Sequence, residues 1–167
     1  LKTQDKSNEI NAIPELIKTL CLEGAIVTVD AMGCQKKITR TIIEAGADYV
    51  IQVKDNQEKL HENIALFFQE PANGPFESID TLDGEHGRIE TRQYFTTDDI
   101  SWLQGKENWT GLKTICMAIR KRDINGQVST EKSYFISSLE NHAPAISKAI
   151  RDHWGIENGL HWCLDVS

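Results

Sequence analysis

Two short runs, Ala25-Ile26-Val27-Thr28-Val29-Asp30 and Asp48-Tyr49-Val50-Ile51-Gln52-Val53-Lys54, decide how this chain folds. Both are rich in β-branched residues and lack polar alternation, the pattern of strands covered on both faces. Between them Ala31-Met32-Gly33-Cys34 reads as a loop. Gln35 to Ala45 reads as a helix with Ile38, Ile42 and Ile43 inward, closed by Gly46. Strand, helix and strand at this spacing predict a right-handed βαβ unit with parallel strands. Asp30 then ends its strand at the carboxyl edge, where open α/β sheets place their sites.

Upstream, Ser7 or Asn8 is positioned to cap a helix to about Leu20, with Pro14 either kinking it or opening it. Downstream, Lys54-Asp55-Asn56-Gln57 is a polar loop. A helix from Glu58 to Gln69 follows, with Leu60, Ile64, Phe67 and Phe68 as its buried face, and Pro71 to Pro75 ends it. From Phe76 to Ser138 the pattern changes to strands: Phe76–Leu82, Gly87–Thr96, Leu112–Asp123 and Ser129–Ser137. Asn125-Gly126 marks a hairpin between the last two, and Asp98 to Gly105 has room for one helical turn.

The last element is a helix capped by Asn141, with Pro144 in its first turn. Ile146, Ile150, Trp154 or His153, Glu157, Leu160 or His161, and Leu164 recur at three- and four-residue steps. His153, Glu157 and His161 fall on one face, a spacing a zinc ion could exploit only poorly, because three ligands on one straight helix seldom converge. Gly155 and Gly159 weaken the helix and admit close approach to its backbone.

Composition is that of an ordinary globular chain: 167 residues, 40% hydrophobic and 26% charged. The absence of a long apolar run argues against a membrane span. The net charge of −7 argues against a free-standing basic nucleic-acid binder, though not against a carboxylate-rich metal enzyme acting on DNA. Cys21, Cys34, Cys116 and Cys163 form no CxxC pair and read as reduced thiols of a cytoplasmic protein. The chain opens without Met and stops just after a helical pattern, as an internal piece of a longer protein would.

Several segments together resemble one family. Lys6-Ser7-Asn8-Glu9-Ile10, Val27-Thr28-Val29-Asp30-Ala31-Met32-Gly33-Cys34-Gln35 and Lys54-Asp55-Asn56-Gln57 are similar to transposases of the ISAs1 group, including the H-repeat-associated proteins. So are His86-Gly87-Arg88-Ile89-Glu90-Thr91-Arg92 and His153-Trp154-Gly155-Ile156-Glu157-Asn158 with Leu160-His161-Trp162. The likeness runs along the whole chain in order.

The resemblance implies a DDE transposase catalytic domain, residues 1–167, of α/β class: a ribonuclease H-like mixed sheet with flanking helices, truncated at its N-terminus. Residues 76–138 would be the β-rich insertion between the second and third acids. Asp30 would be the second acid and Glu157 the third, both catalytic and both metal ligands for two Mg²⁺ (or Mn²⁺) ions. The first acid has no counterpart here and is expected upstream, so these 167 residues alone are expected to be inactive.

The implied reaction is DNA cleavage and strand transfer at insertion-sequence ends, with water and then a freed 3′-OH as nucleophile. The implied partners are transposon-end and target DNA and further copies of the transposase, in the bacterial cytoplasm and at the nucleoid when active. Hard divalent cations prefer carboxylates, which is why such a site is built from acids.

DNA contacts are expected from Lys54, Asn56, His86, Arg88, Arg92, His153 and His161. For the His86–Arg92 strand, cross-strand ion pairs are an equal alternative. The cluster Lys36, Lys37 and Arg40 is either a phosphate contact or a solvated face, and Trp102 and Trp109 read as packing anchors. The chain departs from the wider Tyr-x2-Arg-x3-Glu-x6-Lys signature: those companion positions hold Ile150, His153 and Leu164. Two further readings compete with the first: a degenerate remnant that only folds or binds DNA, and another ribonuclease H-like nuclease.

Overall fold

The computed structural model describes residues 5–85 and 88–165; side chains are described for these except 5–9, 84, 85, 88 and 156–165. The chain is of α/β class. A six-stranded mixed sheet has the strand order β1-β2-β6-β5-β4-β3. Its strands are β1 (Ile26–Val29), β2 (Asp48–Val53), β3 (Glu77–Glu85), β4 (Arg88–Thr97), β5 (Thr114–Ile124) and β6 (Gln127–Ser137). Four helices flank it: α1 (Asp5–Thr19), α2 (Lys36–Glu44), α3 (Glu58–Gln69) and α4 (Ala143–Asp165). No described helix is long and apolar enough to cross a membrane.

β1 and β2 are parallel, joined through α2 as the sequence spacing requires. All other neighbouring pairs are antiparallel, so β1, β2, β3 and β5 run one way and β4 and β6 the other. The stretch 76–138 thus contributes four strands to the same sheet as β1 and β2. Asn125 and Gly126 both have positive φ, as the tight β5–β6 hairpin demands.

The sheet is the middle of three layers. Tyr49, Ile51 and Val53 of β2 point into a core shared with Ile17 of α1, Ile38 and Ile42 of α2, and Leu60, Ile64, Phe67 and Phe68 of α3. Val50 points the other way, joining Tyr94, Cys116, Ala118 and Phe135 beneath Ile146, Ala149 and Ile150 of α4. Ile146 and Ile150 are almost fully buried. At roughly 1.5–3 kcal/mol for each such side chain, apolar burial is what holds α4 to the sheet. An exposed ion pair contributes about 0–1 kcal/mol, so the polar contacts of α4 set its orientation more than its adherence.

Several expectations need correction. β1 is covered only in part on its two faces: Val27 and Val29 are partly buried against the core, Thr28 lies under His153, and at this edge of the described sheet Ile26 is 45% exposed. Its apolar run matches β2's, but only β2 has a neighbour on each side. α1 starts at Asp5, so Ser7 and Asn8 lie within it and are not caps, and Pro14 sits inside the helix. The helical turn expected at Asp98–Gly105 forms instead at Lys106–Asn108, directly after Gly105, which takes a left-handed conformation. Residues 98–105 instead make turns, braced by Asp99 accepting from Ser101. Asn141 does not cap α4. The His142 carbonyl accepts from Ile146 and its ring Nδ1 accepts from the Ala145 amide, while Glu77 Oε1 accepts from the Ala143 amide at 2.9 Å.

Candidate active site at the carboxyl ends of β1 and β2

Asp30 follows the last residue of β1 and caps a 3₁₀ turn, Ala31–Gly33. Its Oδ1 accepts from the amides of Met32 (3.1 Å) and Gly33 (3.3 Å). This local Asx bond fixes the carboxylate's direction. Oδ2 takes no hydrogen bond among the described residues, so one hard anionic oxygen is left at an exposed position.

The loop behind Asp30 is braced by the next one. Asn56 Nδ2 donates to the Ala31 carbonyl at 2.7 Å, and Gln57 Nε2 donates to the Cys34 carbonyl at 2.9 Å. Gly33 is required there, because a Cβ on it would stand 2.9 Å from Val29 Cβ.

A cleft of about 280 Å³ opens beside Asp30, lined among others by Gln52, Lys54, Arg120, Arg122 and His153. Three permanent cations and the acids Asp30 and Glu131 share it. In a chain of net charge −7, the lining of this cleft carries more cations than anions. Arg120 is held by Glu131 and lies 5.1 Å from the centre of the Trp154 ring; Arg122 Nε is 3.0 Å from Glu90 Oε2.

The second wall is α4. Its direction follows from two contacts with β3: Ala143 meets Glu77, and Arg151 Nη2 meets Asp83 Oδ1 at 3.2 Å. Along that edge it therefore runs in the sense of β3. His153 Nδ1 lies 3.1 Å from Thr28 Oγ1, tying α4 to β1. Two residues along a strand advance about 6.6 Å and keep the same face. Four residues along a helix advance about 6.0 Å and keep the same side.

The sequence-predicted residues divide as follows. Asp30, Lys54 and His153 come together in one cleft. Asn56 is next to it but spends its amide on the Ala31 carbonyl. Arg92 lies on the same sheet face yet is engaged in ion pairs with Glu90 and Asp83. His86 and the side chains of Arg88, Glu157 and His161 lie outside the described residues. Trp102 stacks on Phe67 at 4.4 Å and Trp109 is buried, so both are packing anchors.

Sequence reasoning missed Thr28, Gln52, Arg120 and Arg122. Thr28 had a legible signal, a polar residue two before Asp30 on the same strand face. Gln52 had a similar one, as the lone polar side chain inside β2's apolar run.

Among the described residues, no group of three or more His, Cys, Asp or Glu is placed to hold a metal. Asp30 supplies one suitable oxygen; a metal centre here needs further carboxylates.

Comparisons with known proteins give the chain's family. A family profile described as "Transposase DDE domain" matches residues 1–166. An "Uncharacterized protein in dhlA 3'region" of Xanthobacter autotrophicus is 44% identical over 138 residues, 82% of this chain and 47% of that protein. From Escherichia coli K12, the "H repeat-associated putative transposase YhhI" is 40% identical over 173 residues, 99% of this chain and 46% of that one. The "Putative protein YbfL" is 40% identical with the same coverage. The chain thus spans under half the length of these relatives, and no solved structure matches it. A profile match over almost every residue, together with relatives of this identity, makes the chain a member of the DDE transposase domain family.

Proposed function

We propose that this chain is the part of a DDE transposase, with a ribonuclease H-like fold, that supplies two of the three catalytic acids, Asp30 and Glu157. The observation that carries the proposal is the Thr28–His153 contact. From it, the next same-face residue on β1 is Asp30 and the next same-side residue on α4 is Glu157. The two steps are nearly equal in length, and on this reading both lead from the contact towards one metal centre. The first acid, supplied by sequence upstream of these 167 residues, completes the site, and residues 76–138 correspond to the insertion between the second acid, Asp30, and the third, Glu157.

Asp30, whose Oδ2 takes no hydrogen bond among the described residues, suits a hard divalent ion; Glu157 is its proposed counterpart from α4. A pair of Mg²⁺ or Mn²⁺ ions would supply charge neutralisation at the scissile phosphate and activation of the attacking oxygen. The chain's own contribution is to hold the acids rigidly and to receive DNA. Lys54, Arg120, Arg122 and His153 surround Asp30 with hydrogen-bond donors of the kind that engage phosphates. His86, Arg88 and His161 are proposed as further DNA contacts, whereas Arg92 is taken up by its ion pairs with Glu90 and Asp83. The substrates are the ends of an insertion sequence and target DNA, joined by a self-associated transposase.

The test is strand cleavage of element-end DNA by the full-length protein. Asp30→Asn and Glu157→Gln should each abolish Mg²⁺-dependent cleavage while leaving end binding intact. Retained cleavage in either variant removes that residue from the site.

A further inference from the structure

We propose that Asp83 is a positioning residue for this site: it clamps Arg151 and so fixes the roll of α4 and the aim of position 157. The inference rests on the proposed placement of Glu157.

Five charges alternate in sign across the α4 face of the sheet. Arg122 of β5 pairs with Glu90 of β4, Glu90 with Arg92, Arg92 with Asp83 of β3, and Asp83 with Arg151 of α4. The middle of the chain is shielded: the side chains of Glu90 and Arg92 are 5% and 17% exposed. One end, Arg122, lines the cleft beside Asp30, and the other is on the helix that carries Glu157. Asp83 is thereby held from beneath by Arg92 and presents both carboxylate oxygens to Arg151 Nη2, at 3.2 and 3.3 Å.

The geometry of the helix gives this pair its consequence. Successive residues turn by about 100°, so positions 151 and 153 project to opposite flanks, about 200° apart. Arg151 is tied to β3 on one flank and His153 to β1 on the other. A helix pinned on both flanks cannot roll over its apolar underside, and these pins come within six residues of position 157. Loss of the β3 pin leaves Ile146 and Ile150 seated and frees only the rotation. Groups that orient a metal ligand without touching the metal are worth about 10–100-fold in metal affinity elsewhere.

The test uses the full-length transposase, with Mn²⁺ binding followed by electron paramagnetic resonance and cleavage of element-end DNA measured alongside. Asp83→Asn should weaken Mn²⁺ binding and lower kcat, each by roughly tenfold or more, with end-DNA affinity unchanged. Arg151→Met should reproduce both effects and carries the test should Asp83→Asn fail to fold. Arg151→Lys should restore near wild-type behaviour, because a single nitrogen makes the contact to both oxygens. A purely structural role would lower thermal stability without moving Mn²⁺ affinity. Wild-type Mn²⁺ affinity in both Asp83→Asn and Arg151→Met overturns the inference. Glu157→Gln in the same assay separates the two levels: unchanged Mn²⁺ binding there overturns the placement of Glu157 itself.

Discussion

Thr28 Oγ1 and His153 Nδ1 stand 3.1 Å apart across 125 residues of sequence, and this contact sets the register between the strand that ends in Asp30 and the helix that carries Glu157. Thr28→Val keeps the β-branched shape and removes the hydroxyl. It should cost about 1 kcal/mol of stability, the net worth of one part-buried hydrogen bond. Its effect on cleavage by the full-length enzyme should be larger than that loss of folded protein explains. Calorimetry and cleavage rates on the same preparation measure both.

Gly33 is the point at which backbone packing bears on the Asp30 carboxylate. An alanine there would bring its Cβ to 2.9 Å and 3.0 Å from Val29 Cβ and Cγ2, so the turn that donates to Asp30 Oδ1 must shift. Overpacking of this kind typically costs about 1–3 kcal/mol. Gly33→Ala should lower both stability and cleavage, whereas Gly126→Ala, with open space around it but a positive φ, should affect stability alone. Thermal melts paired with cleavage assays distinguish the two patterns.

Glu90 is the buried anion between Arg92 and Arg122. Glu90→Gln removes the charge while keeping the shape, leaving two guanidinium groups without their shared partner. Breaking a buried pair from one side costs on the order of 3 kcal/mol, or about 10 °C in a chain of this size. Asp152→Asn, which breaks the exposed Lys148–Asp152 pair, should change stability by no more than about 0.5 kcal/mol. Equal effects from the two substitutions would contradict the burial argument.

Burial raises the thiol of Cys34 from 9.0 to about 12 and the phenol of Tyr94 from 10.0 to about 12. Both groups are buried neutral, so the folded state holds their protons at pH values where the unfolded chain releases them. Their contribution is fully present below pH 9 and is lost as pH rises from there towards 12, by up to about 1.4 kcal/mol per pH unit for each group. The melting temperature should therefore fall on the alkaline side. At neutral pH a thiol reagent should label exposed Cys21 and spare Cys34 and Cys116 until the chain unfolds.

The parallel β1–α2–β2 unit, α3 and the β5–β6 hairpin were legible because each is defined by local chemistry: β-branched runs, helical periodicity, Asn125-Gly126. Asp30 at a strand end was legible for the same reason. The burial of β1 was not, since an edge strand and an inner strand carry the same apolar run and differ only in neighbours. The start of α4 was not, since its first amide finds Glu77, 66 residues away. Arg120 and Arg122 look like ordinary hairpin cations until strand register brings them to the end of β1. Asn56 and Arg92 read equally well as DNA contacts, and only the tertiary fold brings up the carbonyl and the carboxylates that engage them.

The central claim is that Asp30 and Glu157 serve one metal centre. The most direct measurement is the crystal structure of the full-length protein with Mn²⁺, using anomalous scattering to locate the ion. A Mn²⁺ ion bound by carboxylate oxygens of both Asp30 and Glu157, at about 2.1 Å from each, is the expected result. Mn²⁺ on Asp30 with the Glu157 carboxylate turned away from the cleft would contradict it.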